Sequence, residues 1–477
     1  MTLLAALSIT GCQSTQPKPP APENFEHYAF DEFPDRVRTD AIVVVQDGSV
    51  IYERYARGYT AESKHISWSM AKTISAAIIG VAAKENLIKL DDTLDQFFTG
   101  LTPQKSKIKI RDLLNMASGI DFNESYDDGP VASDAVAMLY RDGQQNMPRF
   151  VLSLPQLLEP GTRFYYSSGD SNVTMGALHA AVAKKLSEDA YAQYPFEKFF
   201  APLGIQNATF ERDGSGNFAS SSYAFLTARQ YARVGELFLN HGQYQGHAFF
   251  SPEWFTFMTT LSPGFSGADP SDKKQPFGAQ LWLNRSYPEK DITSPYPSIP
   301  EDALIFLGYS GQMVVIVPSE KLVVLRLADD RGRGIHRDYF LSLILRGLGK
   351  TFPTLHPLAY DQGEPNESDH AYRKLFRDPN TNLDQGGIAG EPSKRVGGTL
   401  FSMPGIGAAF AAKEYCSCHF VSGQSHDLCK ESVYRGVPFF GFSVDEQKRT
   451  VKVSILFSNR SAHWVSPEFG CVLDSQN

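Results

Sequence analysis

The sequence predicts an α+β fold. An antiparallel sheet is flanked by helices, a helical lobe is inserted between its first and last strands, and a small disulfide-stapled β-rich unit follows at the carboxyl end. Three observations carry this prediction. Alternating apolar residues mark a hairpin near residue 41 and hydrophobic runs mark strands between 277 and 327, helical periodicity fills much of the interval, and four of the five cysteines lie beyond residue 415. The 477 residues are 42% hydrophobic and 21% charged, which excludes disorder or coiled coil as a description of the whole chain. A net charge of −8 without a long basic run argues against a nucleic-acid partner. No apolar stretch reaches the ~18 residues of a membrane-spanning helix.

Four segments are expected. Residues 1–24 read as a lipoprotein signal and tether: the apolar run Leu3 to Gly11 ends in Ile9-Thr10-Gly11-Cys12, which resembles a bacterial lipobox with Cys12 as the lipidated residue. The proline-rich stretch Gln13 to Asn24 suits an extended tether. The other reading is an apolar terminus with an unrelated cysteine. Residues 25–352 form the main body, 353–398 a linker rich in Asp, Asn, Pro and Gly, and 399–477 the small unit. An even set of cysteines there (Cys416, Cys418, Cys429 and Cys471) suggests two disulfides in an oxidising compartment. If Tyr415 to Val421 is a strand, Cys416 and Cys418 share a face, and each is expected to pair with Cys429 or Cys471. A zinc site is disfavoured because the two CxxC knuckles are missing.

Within the body, Asp40 to Tyr59 alternates around Asp47-Gly48, a hairpin signal. Ser69 to Glu85 places Ile74, Ile78, Val81 and Ala82 on one helical face. Ile110 to Met116, Thr227 to Asn240 and Asp338 to Leu348 also read as helices, the second opened by a Thr227/Gln230 capping box. Phe277 to Leu283, Ala303 to Leu307, Met313 to Val317 and Lys321 to Leu327 read as strands. Strands at both ends of the body predict that the first and last of them pair.

Ser-x-x-Lys occurs three times, at Ser69/Lys72, Ser106/Lys109 and Ser271/Lys274. Only Ser69 opens a long amphipathic helix directly after a hairpin. One turn puts Lys72 on its side of the helix, and the helix N-terminus favours developing negative charge. The plain alternative is a capping serine with a solvated lysine. Two further stretches bear on the choice: Phe164-Tyr165-Tyr166-Ser167-Ser168-Gly169, leading into a helix, and Gly308-Tyr309-Ser310-Gly311-Gln312, between hydrophobic strands.

Taken in this order, with Trp68 to Thr73 and Arg111-Asp112-Leu113-Leu114, these motifs resemble the serine β-lactamase and DD-peptidase superfamily over residues 40 to 350. The class C β-lactamase-related branch of esterases and 6-aminohexanoate-dimer hydrolases is the most similar. The resemblance implies a serine hydrolase that forms an acyl-enzyme on Ser69, with Lys72 helping to deprotonate it and Tyr166 acting as base and then leaving-group acid. It implies an oxyanion hole made by the backbone N–H groups of Ser69 and Gln312, and substrate contacts at Ser168, Tyr309, Ser310 and Gly311.

Two departures stand out. Ser168 replaces the family's amide, and Tyr309-Ser310-Gly311 stands where Lys-Thr-Gly is expected, which argues against an efficient β-lactamase and fits an ester or amide lacking the β-lactam carboxylate. The rival expectation is a non-hydrolysing receptor or envelope structural protein on the same fold. No metal or organic cofactor is implied. The expected partners are a small ester or amide and, through Cys12, a membrane outside the cytoplasm: the bacterial periplasm, at the outer membrane.

Overall fold

The computed structural model describes residues 25–124, 130–266, 275–331, 334–350, 402–433 and 441–475. The Cys12 and tether reading, the linker at 353–398 and the Ser271/Lys274 pair lie outside the described residues. Among those described, no helix is long and apolar enough to cross a membrane.

The main sheet has six antiparallel strands. Thr39–Gln46 (β1) turns at Asp47-Gly48, both in the left-handed region, and returns as Ser49–Tyr55 (β2). Trp282–Leu283 (β3), Leu304–Gly308 (β4), Gln312–Val317 (β5) and Leu322–Ala328 (β6) supply the rest, in the order β2-β1-β6-β5-β4-β3. The first and last long strands of the body do meet: β1 pairs with β6 from Gln46 opposite Leu322 to Ala41 opposite Leu327. Because side chains alternate, β1 feeds two cores. Val43 and Val45 face one helical layer, while Ile42 and Val44 face the other with Phe340, Leu341 and Ile344.

On the first face pack Met70–Lys84 (α1), Ser168–Lys185 (α2) and Ala228–Leu239 (α3); on the second lies Arg337–Gly347 (α4). The expected capping box opens α3: Gln230 N–H donates to the Thr227 hydroxyl at 3.4 Å, and Thr227 N–H donates to Gln230 Oε1 at 2.9 Å.

Two expected strands change. Phe277 to Leu283 is not one strand, because Gln280 sits at φ 61° and doubles the chain back, so that Phe277 pairs with Trp282. Tyr415 to Val421 is helical. Met403–Cys416 (α5) runs into a turn of π-helix, His426–Val433 (α6) follows, and only then comes an antiparallel sheet of Gly441–Asp445 (β7), Thr450–Ile455 (β8), Ser458–Ser466 (β9) and Gly470–Leu473 (β10). The cysteines form Cys416–Cys471 and Cys418–Cys429.

The carboxyl-terminal unit is bolted to the body. Buried Glu211 accepts from Lys413 Nζ, from Ser417 Oγ at 2.7 Å and from Cys471 N–H at 2.7 Å. A carboxylate without exposure needs such donors, since desolvation otherwise penalises its charge.

Candidate active site

Ser69 stands at the N-cap of α1, where its side chain makes no capping bond to the helix. The hydroxyl is therefore available for chemistry, unlike that of an ordinary capping serine. The preceding turn is tightly held. Trp68 adopts φ 43°, uncommon for a bulky residue, while Ser67 N–H donates to Ala224 O at 2.8 Å and Ser67 Oγ to Ser222 O at 2.9 Å.

Lys72, one turn along α1 and 2% exposed, donates to Ser69 Oγ at 3.0 Å, Ser168 Oγ at 2.9 Å and Ser221 O at 3.2 Å. Three acceptors match the three hydrogens of an ammonium. Tyr166 is buried against α1: Lys72 Nζ lies 5.0 Å from its ring centroid, and the ring stacks on Trp282 at 5.4 Å. Ser168 opens α2, so the two helices bring the first two motifs together. Gln280 ties them, accepting from Thr73 on α1 (2.6 Å, at its backbone oxygen) and from Ser171 on α2 (2.6 Å, at Oε1).

Glu124 was not singled out in the sequence. It accepts both Ser168 N–H at 2.7 Å and Ser168 Oγ–H at 2.6 Å, leaving the serine lone pairs for Lys72. No motif marks it; only the path of the chain brings it here. The Ser220-Ser221-Ser222 run was likewise passed over, yet it supplies Lys72 with a carbonyl, and Asn172 Nδ2 braces Ser221 Oγ at 2.9 Å.

The third motif divides. Gly308 ends β4 directly beside the Ser67–Ser69 turn; a Cβ there would stand 2.4 Å from Ser67 O. Tyr309 then emerges with its ring 5.7 Å from Trp68, and Tyr309 and Ser310 line the cavity above Ser69. Gln312 and Gly311 do not. Gln312 is wholly buried opposite Gly308, its side-chain amide donating to Tyr309 O at 3.0 Å and Ala328 O at 2.6 Å. Gly311, at φ 92°, faces away; a Cβ there would meet Asp330 and Arg326. Neither of these two residues lines the cavity, and the reason is the turn itself. Residues 309–311 close a hairpin, so positions beyond its apex belong to the sheet.

Over these groups lies a cavity of about 610 Å³. Its near wall includes Trp68, Tyr166 and Trp282; its far wall is the carboxyl-terminal unit, through Met403, Ile406 and Phe410.

The Beta-lactamase family model matches residues 29–342. A curated 6-aminohexanoate-dimer hydrolase from Paenarthrobacter ureafaciens is 24% identical over 222 residues, which is 45% of this chain and 56% of that protein. The chain thus spans little more than half the length of that relative. Three solved structures share the fold. A Bacillus anthracis protein provisionally called a 6-aminohexanoate-dimer hydrolase has TM-score 0.50 at 24% identity, covering 62% of this chain and 75% of its own. A Bacteroides dorei DSM 17855 protein provisionally called a beta-lactamase has TM-score 0.53 at 18% identity, with coverages of 67% and 96%. EstCE1, a hydrolase with promiscuous acyltransferase activity, has TM-score 0.52 at 18% identity, with coverages of 69% and 98%.

Proposed function

The chain belongs to the beta-lactamase family, and from that premise we propose that it is a serine hydrolase cleaving a carboxylic ester or amide through an acyl-enzyme on Ser69. One observation carries this reading: an uncommitted serine hydroxyl at a helix N-terminus, 3.0 Å from a buried lysine ammonium, beneath a cavity large enough for a small molecule.

Ser69 Oγ bonds to the carbonyl carbon as its proton leaves. Lys72 already donates to three oxygens, so Tyr166 takes that proton, and the neighbouring ammonium favours the phenolate. The tetrahedral oxyanion is held by the backbone N–H groups of Ser69 and Tyr309, the latter replacing Gln312 because it emerges beside the Ser67–Ser69 turn. Breaking the C–O or C–N bond returns the proton from Tyr166 to the leaving group. Water then attacks the acyl carbon by the same relay and frees the acid and Ser69. Glu124 fixes Ser168, and Ser168 fixes Lys72.

The lining favours substrates unlike β-lactams. Among the described residues it contains no Lys or Arg to receive a carboxylate and is largely aromatic or aliphatic. The two disulfides fit an oxidising compartment, and with Cys12 as lipid anchor they support a place in the periplasm, at the outer membrane. The reading is tested by covalent labelling of the full chain with a fluorophosphonate. Wild type is expected to label and Ser69→Ala to be blank; equal labelling of the two would move the nucleophile elsewhere.

A further inference from the structure

The cavity's charge is one-sided. Its lining carries three carboxylates, Glu124, Asp329 and Glu414, and no Lys or Arg among the described residues. Two of the three are answered by the protein. Glu124 takes the Ser168 donors, and Asp329 lies 3.4 Å from Arg57 and 3.8 Å from Arg38. Glu414 is different. On the far wall, Oε1 accepts from the Tyr140 hydroxyl at 2.8 Å and the Tyr223 hydroxyl at 2.9 Å, while Oε2 takes no hydrogen bond from any described residue. The adjacent Lys413 makes no hydrogen bond to it, being committed to Glu211 and to Ser417 Oγ at 3.1 Å, and acts on it only through space, its charge partly offsetting the burial.

Two aromatic side chains line the cavity beside this carboxyl. Tyr140 and Phe410, both lining the cavity, meet edge to face at 5.4 Å. An acid with one open oxygen among aromatic rings is the chemistry that receives an alkylammonium, which pairs with the carboxylate and rests against the π faces. Burial pushes the Glu414 carboxyl up, so an arriving cation also offsets the penalty of ionising it.

Resting on the hydrolase reading above, we propose that Glu414, framed by Tyr140 and Phe410, is the receptor for a cationic group at the far end of the substrate, making this a hydrolase of ammonium-bearing esters or amides. The carboxyl-terminal unit would then set selectivity while the body supplies the bond-breaking groups.

The test uses the full chain and two isosteric pairs. In one, p-nitrophenyl trimethylammonio-hexanoate is compared with the ester in which carbon replaces the nitrogen; in the other, butyrylcholine is compared with its carbon analogue. For at least one pair, wild type should favour the cation in kcat/KM by about tenfold or more. Glu414→Gln should bring that ratio to about one, whereas a ratio that survives the substitution overturns the proposal.

Calorimetry with hexyltrimethylammonium against hexanoate needs neither turnover nor the variant. Wild type should bind the ammonium about tenfold tighter, and equal or reversed affinity refutes the receptor. Fluorophosphonate labelling without any cation preference would overturn the role of Glu414 and leave the hydrolase standing. Selective ammonium binding without labelling would do the opposite.

Discussion

Replacing Gly308 with alanine probes the junction between sheet and nucleophile. Gly308 has φ −139°, extended backbone open to any residue, so the change adds no torsional strain. The obstacle is space. A Cβ would stand 2.4 Å from the backbone oxygen of Ser67 and 2.9 Å from Cβ of Gln312, neither of which can swing aside. Restoring a C···O separation of about 3.3 Å parts β4 from the Ser67 turn by about 0.9 Å. Ser69 and Tyr309 lie on opposite sides of that gap, so the two donors of the proposed oxyanion pocket should separate. A displacement near 1 Å at a reacting centre costs about 10²-fold in rate. Overpacking should lower stability by about 1–3 kcal/mol. The assay is kcat on p-nitrophenyl butyrate well below the variant's Tm, with the burst of p-nitrophenol counting competent sites so that unfolding is not mistaken for slow chemistry. A Gly308→Ala enzyme with wild-type kcat would refute the placement of the second donor at Tyr309.

Other outcomes follow from the same geometry. Tyr166→Phe keeps the ring stacked on Trp282 but removes the proposed proton carrier; ester turnover should fall by about 10²-fold or more with Tm little changed, and an undiminished rate would transfer the role. Asp330→Ala strands Arg326, which is 0% exposed and held by both Asp330 oxygens at 2.7 Å; denaturant unfolding should show a loss of about 3–5 kcal/mol, and a loss below ~1 kcal/mol would contradict the burial argument. Burial pushes the Asp170 carboxyl up to about 7 against the pull of its bonds from Ser118 and Ser167. The folded state therefore holds a proton that the unfolded state releases near pH ~4. Wild-type stability relative to Asp170→Asn should fall by roughly 1.4 kcal/mol per pH unit from about pH 4 to about pH 7 and then level off. A Tm difference flat across that range would argue against a buried, protonated Asp170.

Much of the body was legible because its signals are local. The β1–β2 turn, the α3 capping box and the apolar runs of β4, β5 and β6 are each signals confined to a few residues, and the structure reproduces them to within a residue or so. Ser69 and Lys72 are one helical turn apart and were equally readable. What failed depends on distance. Glu124 meets Ser168 across 44 positions, and Gln280 meets Ser171 across 109, with no motif to announce either pairing. The position of Gln312 outside the cavity lining was not legible, because the sequence does not display the hairpin apex before it. Helix α5 was missed for another reason. Packed between the body and the terminal sheet, it has apolar residues on nearly every side, so the periodic contrast that reveals an amphipathic helix is absent. Its cysteines then drew attention to a strand that is not there.

The fastening at Glu211 also bears on how this molecule can be shortened. A chain ending after α4 would retain Ser69, Lys72 and Tyr166, but a carboxylate with 0% exposure would lose Lys413, Ser417 and the Cys471 amide in one stroke. The Tyr140 and Tyr223 hydroxyls would lose Glu414 as well. Frameshifts and premature stops that remove α5 and the terminal sheet should thus damage the body that carries Ser69 as well.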